Sequence, residues 1–243
     1  MKLLIDIGNS RTKSAIADGA GFQAMPPVAN DNLRSAALWT NIQRVDSIWI
    51  ASVASDAANE IVSTAVADRF GMRPRFAHSS AEACGVRNAY ENPERLGIDR
   101  FLALIAAHAS AQQDAVVASC GTALTLDAMD AAGQHLGGLI APSPWLMQVA
   151  LRKTTARLSD AVETDVAEIA ANTHSAISSG TWLAAVSLVE RFVKQTSIRL
   201  NRTPQLWLTG GGSERLGALL APSYRTEPNL VLRGLALFAD TFA

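Results

Sequence analysis

Asp6, Gly8, Asn9, Ser10, Arg11 and Lys13 place an acid, a glycine turn, two small polar side chains and two cations within one short stretch. That set suits a metal-bound polyphosphate. The carboxylate takes the cation, while backbone amides, hydroxyls and the two basic groups take phosphate oxygens. Apolar runs lie on either side, Leu3 to Ile7 and Thr12 to Ala17, so the set sits at the tip of a predicted β-hairpin. Gly and Asn accept the left-handed backbone that such a tip can require. The stretch alone fits equally well a plain N-terminal hairpin whose Asp6 bonds its own turn.

The pattern returns. Ala115 to Asp127 is again apolar run, glycine turn, apolar run. Placing Gly121 on Gly8 sets Leu4 on Val117, Asp6 on Ser119 and Asn9 on Thr122, an offset of 113 residues in a chain of 243. An offset close to half the chain predicts a duplicated domain, each copy opening with a glycine-tipped hairpin. A third glycine turn, Thr209-Gly210-Gly211-Gly212, follows a short apolar run and precedes a helical pattern. Without side-chain bulk it suits a flat base or a ribose. Two facing domains would put both hairpin tips into one cleft, with phosphates held by Gly8-Asn9-Ser10 and Gly121-Thr122-Ala123. Taken singly, each turn also reads as an ordinary tight turn.

Stepping outward to the elements that must carry these turns, residues 20–35 read as loop, with Pro26-Pro27 and Asn30-Asp31-Asn32. Ser47 to Val53 predicts a buried strand. Ala57 to Phe70 predicts a helix with Ile61, Ala65, Val66 and Phe70 inward, stopped at Gly71. Residues 85–97 are polar and irregular. A helix is then predicted from Ile98 to Ser110, with Leu102, Ile105, Ala106 and Ala109 on one face, followed by a connector at Gln112-Gln113-Asp114. In the second half, Gly137-Gly138 predicts a strand with a close backbone approach or a bulge. Residues 145–159 predict a helix carrying Leu146, Val149, Ala150 and Leu151. Ser175 to Gln195 predicts a longer one with Ile177, Trp182, Ala185, Val186, Val189 and Phe192 inward. Gln205 to Leu208 is a short strand, and a helix starts at Leu216. Asn229 to Phe242 is a closing helix with Leu232, Leu235, Ala236, Ala239 and Phe242 inward. Strands alternating with helices predict an α/β protein of two domains, 1–112 and 113–243.

Composition narrows the function classes. A hydrophobic content of 49% with 18% charged residues describes a folded globular chain. A formal net charge of −1 recommends neither a nucleic acid nor an anionic membrane as partner. No apolar stretch approaches the roughly 20 residues of a membrane helix. The acid at Asp6 comes too early for a signal-peptide apolar region, and Cys84 and Cys120 have neither metal-ligand spacing nor a disulfide pattern. A reduced, cytoplasmic setting follows as the expectation. His78, His108, His135 and His174 are scattered and read as surface or helix residues.

Together, Asp6-x-Gly8-Asn9-Ser10, Tyr90…Pro93…Leu96-Gly97-Ile98-Asp99-Arg100, Cys120-Gly121-Thr122-Ala123-x-Thr125-x-Asp127, Gly137-Gly138-x-Ile140-x-Pro142 and Thr209-Gly210-Gly211 resemble the motifs of the type III pantothenate kinases. They do so in order and over nearly the whole chain. The resemblance implies the actin/sugar-kinase/Hsp70 fold, α/β, with two ribonuclease-H-like domains flanking a nucleotide cleft. It implies ATP-dependent phosphorylation of the primary hydroxyl of pantothenate, the first step toward coenzyme A. It also implies a homodimer in which the partner subunit helps close the pantothenate pocket.

Carried over by position, Asp6, Ile7, Gly8, Asn9, Ser10, Arg11, Thr12 and Lys13 would handle the ATP phosphates, with Asp6 near Mg²⁺. Gly121, Thr122, Gly210 and Gly211 would bind the same nucleotide. Asp99 would be the general base. Tyr90, Gly97, Ile98, Asp99 and Arg100 would contact pantothenate, and Arg100 could grip its carboxylate. Thr173 would reach pantothenate, with Thr181 as its rival. Asp127 would coordinate metal through water, or simply end a strand.

Plainer roles stand beside these. Asp99 precedes a helix and also reads as its N-cap. Arg100 could be a surface ion-pair former, Tyr90 a loop aromatic, and Thr122 and Thr173 hydroxyls bonding local backbone. Two departures matter. Relatives carry an acid where this chain has Ser119, and that acid helps bind an activating monovalent cation, so dependence on K⁺ or NH₄⁺ is in doubt. Ser143 stands where a Gly commonly follows the Pro; a left-handed backbone there would strain a Ser. Two other functions remain open: a non-catalytic ATP-binding regulator on the same fold, and another kinase or nucleotide hydrolase of the superfamily. Retention of Asp6, Asp99, Arg100 and Thr122 favours catalysis, and the Tyr90-to-Arg100 element favours pantothenate.

Overall fold

Leu3, Ile5 and Ile7 turn to one side of the first strand, Leu4 and Asp6 to the other, and all five are buried. A strand buried on both faces lies in the middle of a sheet with helices above and below. The computed structural model describes residues 1–19, 21–33, 38–154 and 164–242. Its first elements are β1 (Lys2–Ile7), β2 (Arg11–Asp18), β3 (Gly21–Ala24), β4 (Val28–Ala29), β5 (Ser47–Ser52), α1 (Asp56–Phe70), β6 (Arg75–Phe76), β7 (Glu82–Ala83), β8 (Val86–Arg87) and α2 (Ile98–Ala111). β1 pairs antiparallel with β2 and parallel with β5, giving the sheet order β3-β2-β1-β5-β6, with β4 also on β2. Val62 and Val66 of α1 cover the face carrying Leu3, Ile5 and Ile7.

The predicted loop 20–35 is therefore corrected. Between Ala20 and residues 34–37, which lie outside the described residues, it holds β3, β4 and a single turn of 3₁₀-helix, Asn30–Asn32. Short strands at a sheet edge are held by backbone bonds to a neighbour, here β2, so they need no hydrophobic pattern of their own. Residues 85–97, read as irregular, contain β8 and a short 3₁₀ turn at Pro93–Arg95. Ala109, expected inward on α2, is exposed, while Phe101 to Ala107 are buried all round the helix.

The remaining elements are β9 (Ala115–Cys120), β10 (Ala123–Met129), β11 (His135–Pro142), α3 (Pro144–Thr154), α4 (Thr173–Leu200), β12 (Gln205–Thr209), α5 (Ser213–Leu219), β13 (Tyr224–Thr226) and α6 (Leu230–Thr241). The part of the predicted helix 145–159 beyond Thr154 lies outside the described residues. The second sheet runs β11-β10-β9-β12-β13. As in the first sheet, its central strand pairs antiparallel with the next strand and parallel with a later one. That repeated order is the duplication expected from the 113-residue offset, in the ribonuclease-H-like arrangement. Trp182, Ala185, Val186 and Val189 of α4 pack on β9, β10 and β12. The connector residue Asp114 is buried; it accepts the Ala131 N–H at 2.8 Å and pairs with Arg202 Nε at 2.8 Å.

The chain divides into one unit of Met1–Gln112, Ala132–His135 and Asn229–Ala243, and another of Gln113–Ala131 and Leu136–Pro228. This corrects the expected split into 1–112 and 113–243: the closing helix belongs with the first sheet. α6 packs on α2 so closely that a Cβ on Gly234 would stand 1.9 Å from the Leu102 carbonyl oxygen. Phe238 meets Trp49 of β5 edge-on, with centroids 6.0 Å apart. Phe242, expected inward, is 47% exposed at the end of the helix.

Candidate active site

The tip of the first hairpin is tied from outside by Asn30, immediately after β4. Its N–H donates to Ser10 O at 3.0 Å, and its Nδ2 donates to Gly8 O at 2.8 Å. Its Oδ1 accepts from Thr12 Oγ1 at 3.0 Å. Within the tip, the Gly8 N–H donates to Arg11 O at 3.1 Å. Asn9, Ser10 and Arg11 are exposed. Two residues expected at the phosphates are placed elsewhere. Ile7 is in the core with its carbonyl accepting from Val53 N–H, and Thr12 is 3% exposed with its hydroxyl on Asn30. The alternation that turns Asp6 to one face of β1 turns Ile7 to the other.

Asp6 lies on the face of β1 opposite Leu3, Ile5 and Ile7 and opposite Lys13 in register. Burial pushes its carboxyl up to about 7; the Lys13 ammonium draws it down by less, and the Asp99 charge pushes it further up. The two acids expected for metal and base thus feel each other directly. A buried carboxyl pushed out of its charged form is relieved by a cation. Hard oxygen donors of this kind suit Mg²⁺, which commonly takes one or two carboxylates and completes its shell with phosphate oxygens and water. No group of three or more acids, histidines or cysteines converges among the described residues.

Asp99 is not the cap of α2. The N-cap is Gly97, Asp99 lies in the first turn, and its Oδ1 accepts the Arg100 N–H at 2.9 Å. Ile98 is buried and anchors the start of the helix. Arg100 is 7% exposed, which removes the surface ion-pair reading. Its Nη1 donates to Tyr90 Oη at 3.1 Å, and the guanidinium stands 5.8 Å from the Tyr90 ring centroid. Behind Tyr90 lies His135, stacked at 6.1 Å with 18° between the planes and 1% exposed, its Nδ1 accepting the Ala89 N–H at 3.4 Å. The expectation of a surface or helix residue fails for His135. Its partner Tyr90 is distant in sequence, and no local pattern marks the contact.

The second tip is one residue shorter than the first. Cys120 pairs with Leu124 and the Gly121 N–H donates to Ala123 O at 2.9 Å, whereas the first hairpin closes at Ile7 and Thr12. Thr122 stands exposed at this tip, and its carbonyl accepts from Ser143 Oγ at 2.9 Å. The strain expected at Ser143 does not arise: among the described residues, the left-handed non-glycine positions are Trp39, Cys84, Gln112 and Asn201. Ser143 Oγ also accepts the Leu146 N–H at 3.3 Å, as a helix-capping hydroxyl does. Gly210 has φ +87°, and a Cβ there would stand 2.5 Å from Cys120 O. That glycine is explained by packing on β9; Gly211 faces open space. Ser119 lies between Thr125 and Thr209 on the adjacent strands, a row of neutral hydroxyl residues. Asp127 is 2% exposed and inside β10 rather than at its end. Burial lifts the Cys120 thiol to about 11, so it stays unreactive.

Thr173 and Thr181 both line an open groove of about 1010 Å³ with Pro142, Leu146, Leu151 and Ile177. Thr173 is exposed in the first turn of α4, behind the N-cap Asn172, whose Oδ1 accepts the Ser175 N–H at 2.9 Å. Thr181 is buried; its hydroxyl donates toward Ile177 O at 2.9 Å and Ser178 O at 3.0 Å and accepts from Gln148 Nε2 at 3.0 Å. Of the two, Thr173 is the one whose side chain is exposed.

The family model of the type III pantothenate kinases matches residues 2–195. A type III pantothenate kinase of Stenotrophomonas maltophilia (strain K279a) is 40% identical over 248 residues, covering 97% of this chain and 96% of that one. One from Burkholderia mallei (strain SAVP1) is 37% identical over 256 residues, covering 99% and 100%. Among solved structures, a conserved Campylobacter jejuni protein described as a Baf family transcriptional activator superposes with a TM-score of 0.64 at 20% identity, covering 99% of this chain and 98% of that one. The ethanolamine utilization protein EutJ of Carboxydothermus hydrogenoformans does so with a TM-score of 0.54 at 13% identity, covering 98% and 89%. These two likenesses show the fold alone. No helix among the described residues is long and apolar enough to cross a membrane. The chain belongs to the type III pantothenate kinase family.

Proposed function

We propose that the protein transfers the γ-phosphoryl group of ATP to the primary hydroxyl of pantothenate, giving 4′-phosphopantothenate and ADP, the first step of coenzyme A biosynthesis. The observation that carries this reading is the interaction of Asp6 with Asp99 at the start of the helix that also carries Arg100, itself hydrogen-bonded to Tyr90. A metal-handling acid, a base and an anion grip then lie within one unit of the chain. The P–O bond to the pantothenate oxygen forms as the bond to the β–γ bridging oxygen breaks, and Asp99 takes the alcohol proton late in the transfer. Mg²⁺, when bound, neutralises charge on the phosphate oxygens; Asp6 would hold it, with Asp127 as a second, water-mediated candidate.

Backbone amides of Asn9 and Ser10, with Arg11 and Lys13, would take phosphate oxygens, and Gly121 and Thr122 would do so from the second tip. Gly211 would leave room for the ribose or base. Arg100 would pair with the pantothenate carboxylate and Tyr90 would fix that guanidinium, with Thr173 contacting the same substrate. The exposed Leu146 and Leu151 beside Thr173 support a homodimer in which a second copy covers the groove. The setting is cytoplasmic, and monovalent-cation activation is weak because Ser119 is neutral. Purified protein incubated with ATP, Mg²⁺ and pantothenate is expected to release ADP and form phosphopantothenate, read by mass spectrometry. Absence of product with and without K⁺ or NH₄⁺ sinks the reading.

A further inference from the structure

In both units the residue directly after an outer strand of the hairpin reaches back to the tip. Asn30 follows β4, which pairs with the start of β2 at Arg11 and Thr12. Ser143 follows β11, the neighbour of β10. Asn30 engages both carbonyls that flank Asn9, those of Gly8 and Ser10, and the hydroxyl of Thr12. Ser143 engages the carbonyl of Thr122, the tip residue of the second hairpin. Ser143 is 1% exposed, and Asn30 is half-buried.

We propose that Asn30 and Ser143 are equivalent positioning residues, one per unit, that hold the two hairpin tips with their amides turned outward for phosphate. This rests on the reading of the tips as the phosphate-binding elements. The physical argument concerns the carbonyls. A flexible glycine tip can present either its N–H or its C=O groups to a ligand, and C=O groups repel phosphate. A donor behind the tip occupies the carbonyls and leaves the N–H groups as the outward dipoles. It also reduces the freedom that binding must remove, so its effect appears in nucleotide affinity. Asn is suited to the first site because it donates from Nδ2 and accepts at Oδ1 at once. Ser suffices at the second, where a single carbonyl is held.

The test compares Asn30→Ala, Thr12→Val and Ser143→Ala with wild type, reading KM for each substrate, ATP binding by calorimetry and the melting temperature. Asn30→Ala is expected to raise the KM and the Kd for ATP about tenfold while the KM for pantothenate stays within twofold. Ser143→Ala is expected to raise the ATP values about threefold. Thr12→Val is expected to weaken ATP binding less than Asn30→Ala, and to add little when combined with it, because both act through one contact. Ser143→Thr keeps the hydroxyl and is expected to recover ATP affinity. Folded Asn30→Ala protein with ATP values within twofold of wild type overturns the proposal, as does an equal rise in both KM values. Should Asn30→Ala fail to fold, Thr12→Val and Asn30→Leu, an uncharged side chain of similar size that lacks both the Nδ2 donor and the Oδ1 acceptor, decide in the same way. Wild type that binds ATP but makes no product would defeat the kinase reading and leave the calorimetric comparison standing.

Discussion

Gly97 leaves the space that the Asp99 carboxylate occupies: a Cβ on Gly97 would stand 2.6 Å from Asp99 Oδ1. The atom it would meet is the far end of a flexible side chain, so the carboxylate rotates away from its bond to the Arg100 N–H instead of the helix unfolding. Gly97→Ala is accordingly expected to lower kcat by about 10- to 100-fold, since small misplacements of a reacting group are costly. Its melting temperature is expected to stay within about 2 °C of wild type. Steady-state kinetics beside a thermal melt check this, and wild-type kcat would detach the orientation of Asp99 from turnover.

Asp99→Asn keeps the shape and the oxygen that accepts the Arg100 N–H, yet cannot take a proton. A positioned general base is worth about 10²- to 10⁴-fold, and kcat is expected to fall within that range with ATP affinity unchanged. Normal turnover would leave Asp99 as a residue that only orders the first turn of α2.

Burial raises Asp6 from its ordinary 3.8 to about 7. The folded protein therefore binds an extra proton between those values, and stability falls as pH rises through the window. At pH 8 without metal, the charged buried carboxylate costs on the order of 4 kcal/mol. Asp6→Asn is expected to melt above wild type at pH 8 in EDTA, with a smaller advantage at pH 5, and to lose most activity. In wild type, Mg²⁺ competes with that proton, so Mg²⁺ affinity is expected to rise across neutral pH. Identical pH profiles of melting for the two proteins would contradict the assignment.

Ser119 stands between Thr125 and Thr209, with no formal charge on any of the three. K⁺ and NH₄⁺ are expected to stimulate wild type weakly, less than about threefold, because neutral hydroxyls offset little of a cation's lost hydration. Ser119→Asp is expected to make activity more strongly dependent on K⁺. A wild type inactive without K⁺ would refute this.

Two neighbouring glycines separate packing from function. At Gly210, φ is +87° and a Cβ would collide with Cys120 O, whereas at Gly211 a Cβ meets nothing within 4 Å. Gly210→Ala is expected to destabilise by about 2 kcal/mol or more. Gly211→Ala is expected to leave the melting temperature unchanged while weakening ATP binding. The reverse order in a denaturation series would reassign both residues.

The sequence by itself determined the two hairpins, the helices from Ala57 and Ile98, the helix through Trp182 and the duplication, because each is written in local periodicity and glycine turns. It also singled out Asp6, Asp99, Arg100 and Tyr90 as the candidates for the chemistry proposed above, since they are recognisable by type and order. Tertiary structure alone decided where α6 belongs. An amphipathic helix declares that one face is buried, but the partner is set by a backbone approach such as Gly234 on Leu102. It decided that Thr12 faces inward and that Arg100 is buried under Tyr90, because strand faces and loop returns follow from register and long-range contact. It also separated Thr173, exposed on α4, from Thr181, whose buried hydroxyl is already bonded to its own helix. Asn30 and His135 were invisible beforehand for the same reason: their partners at Gly8 and Tyr90 are brought to them only when the sheet and loops close.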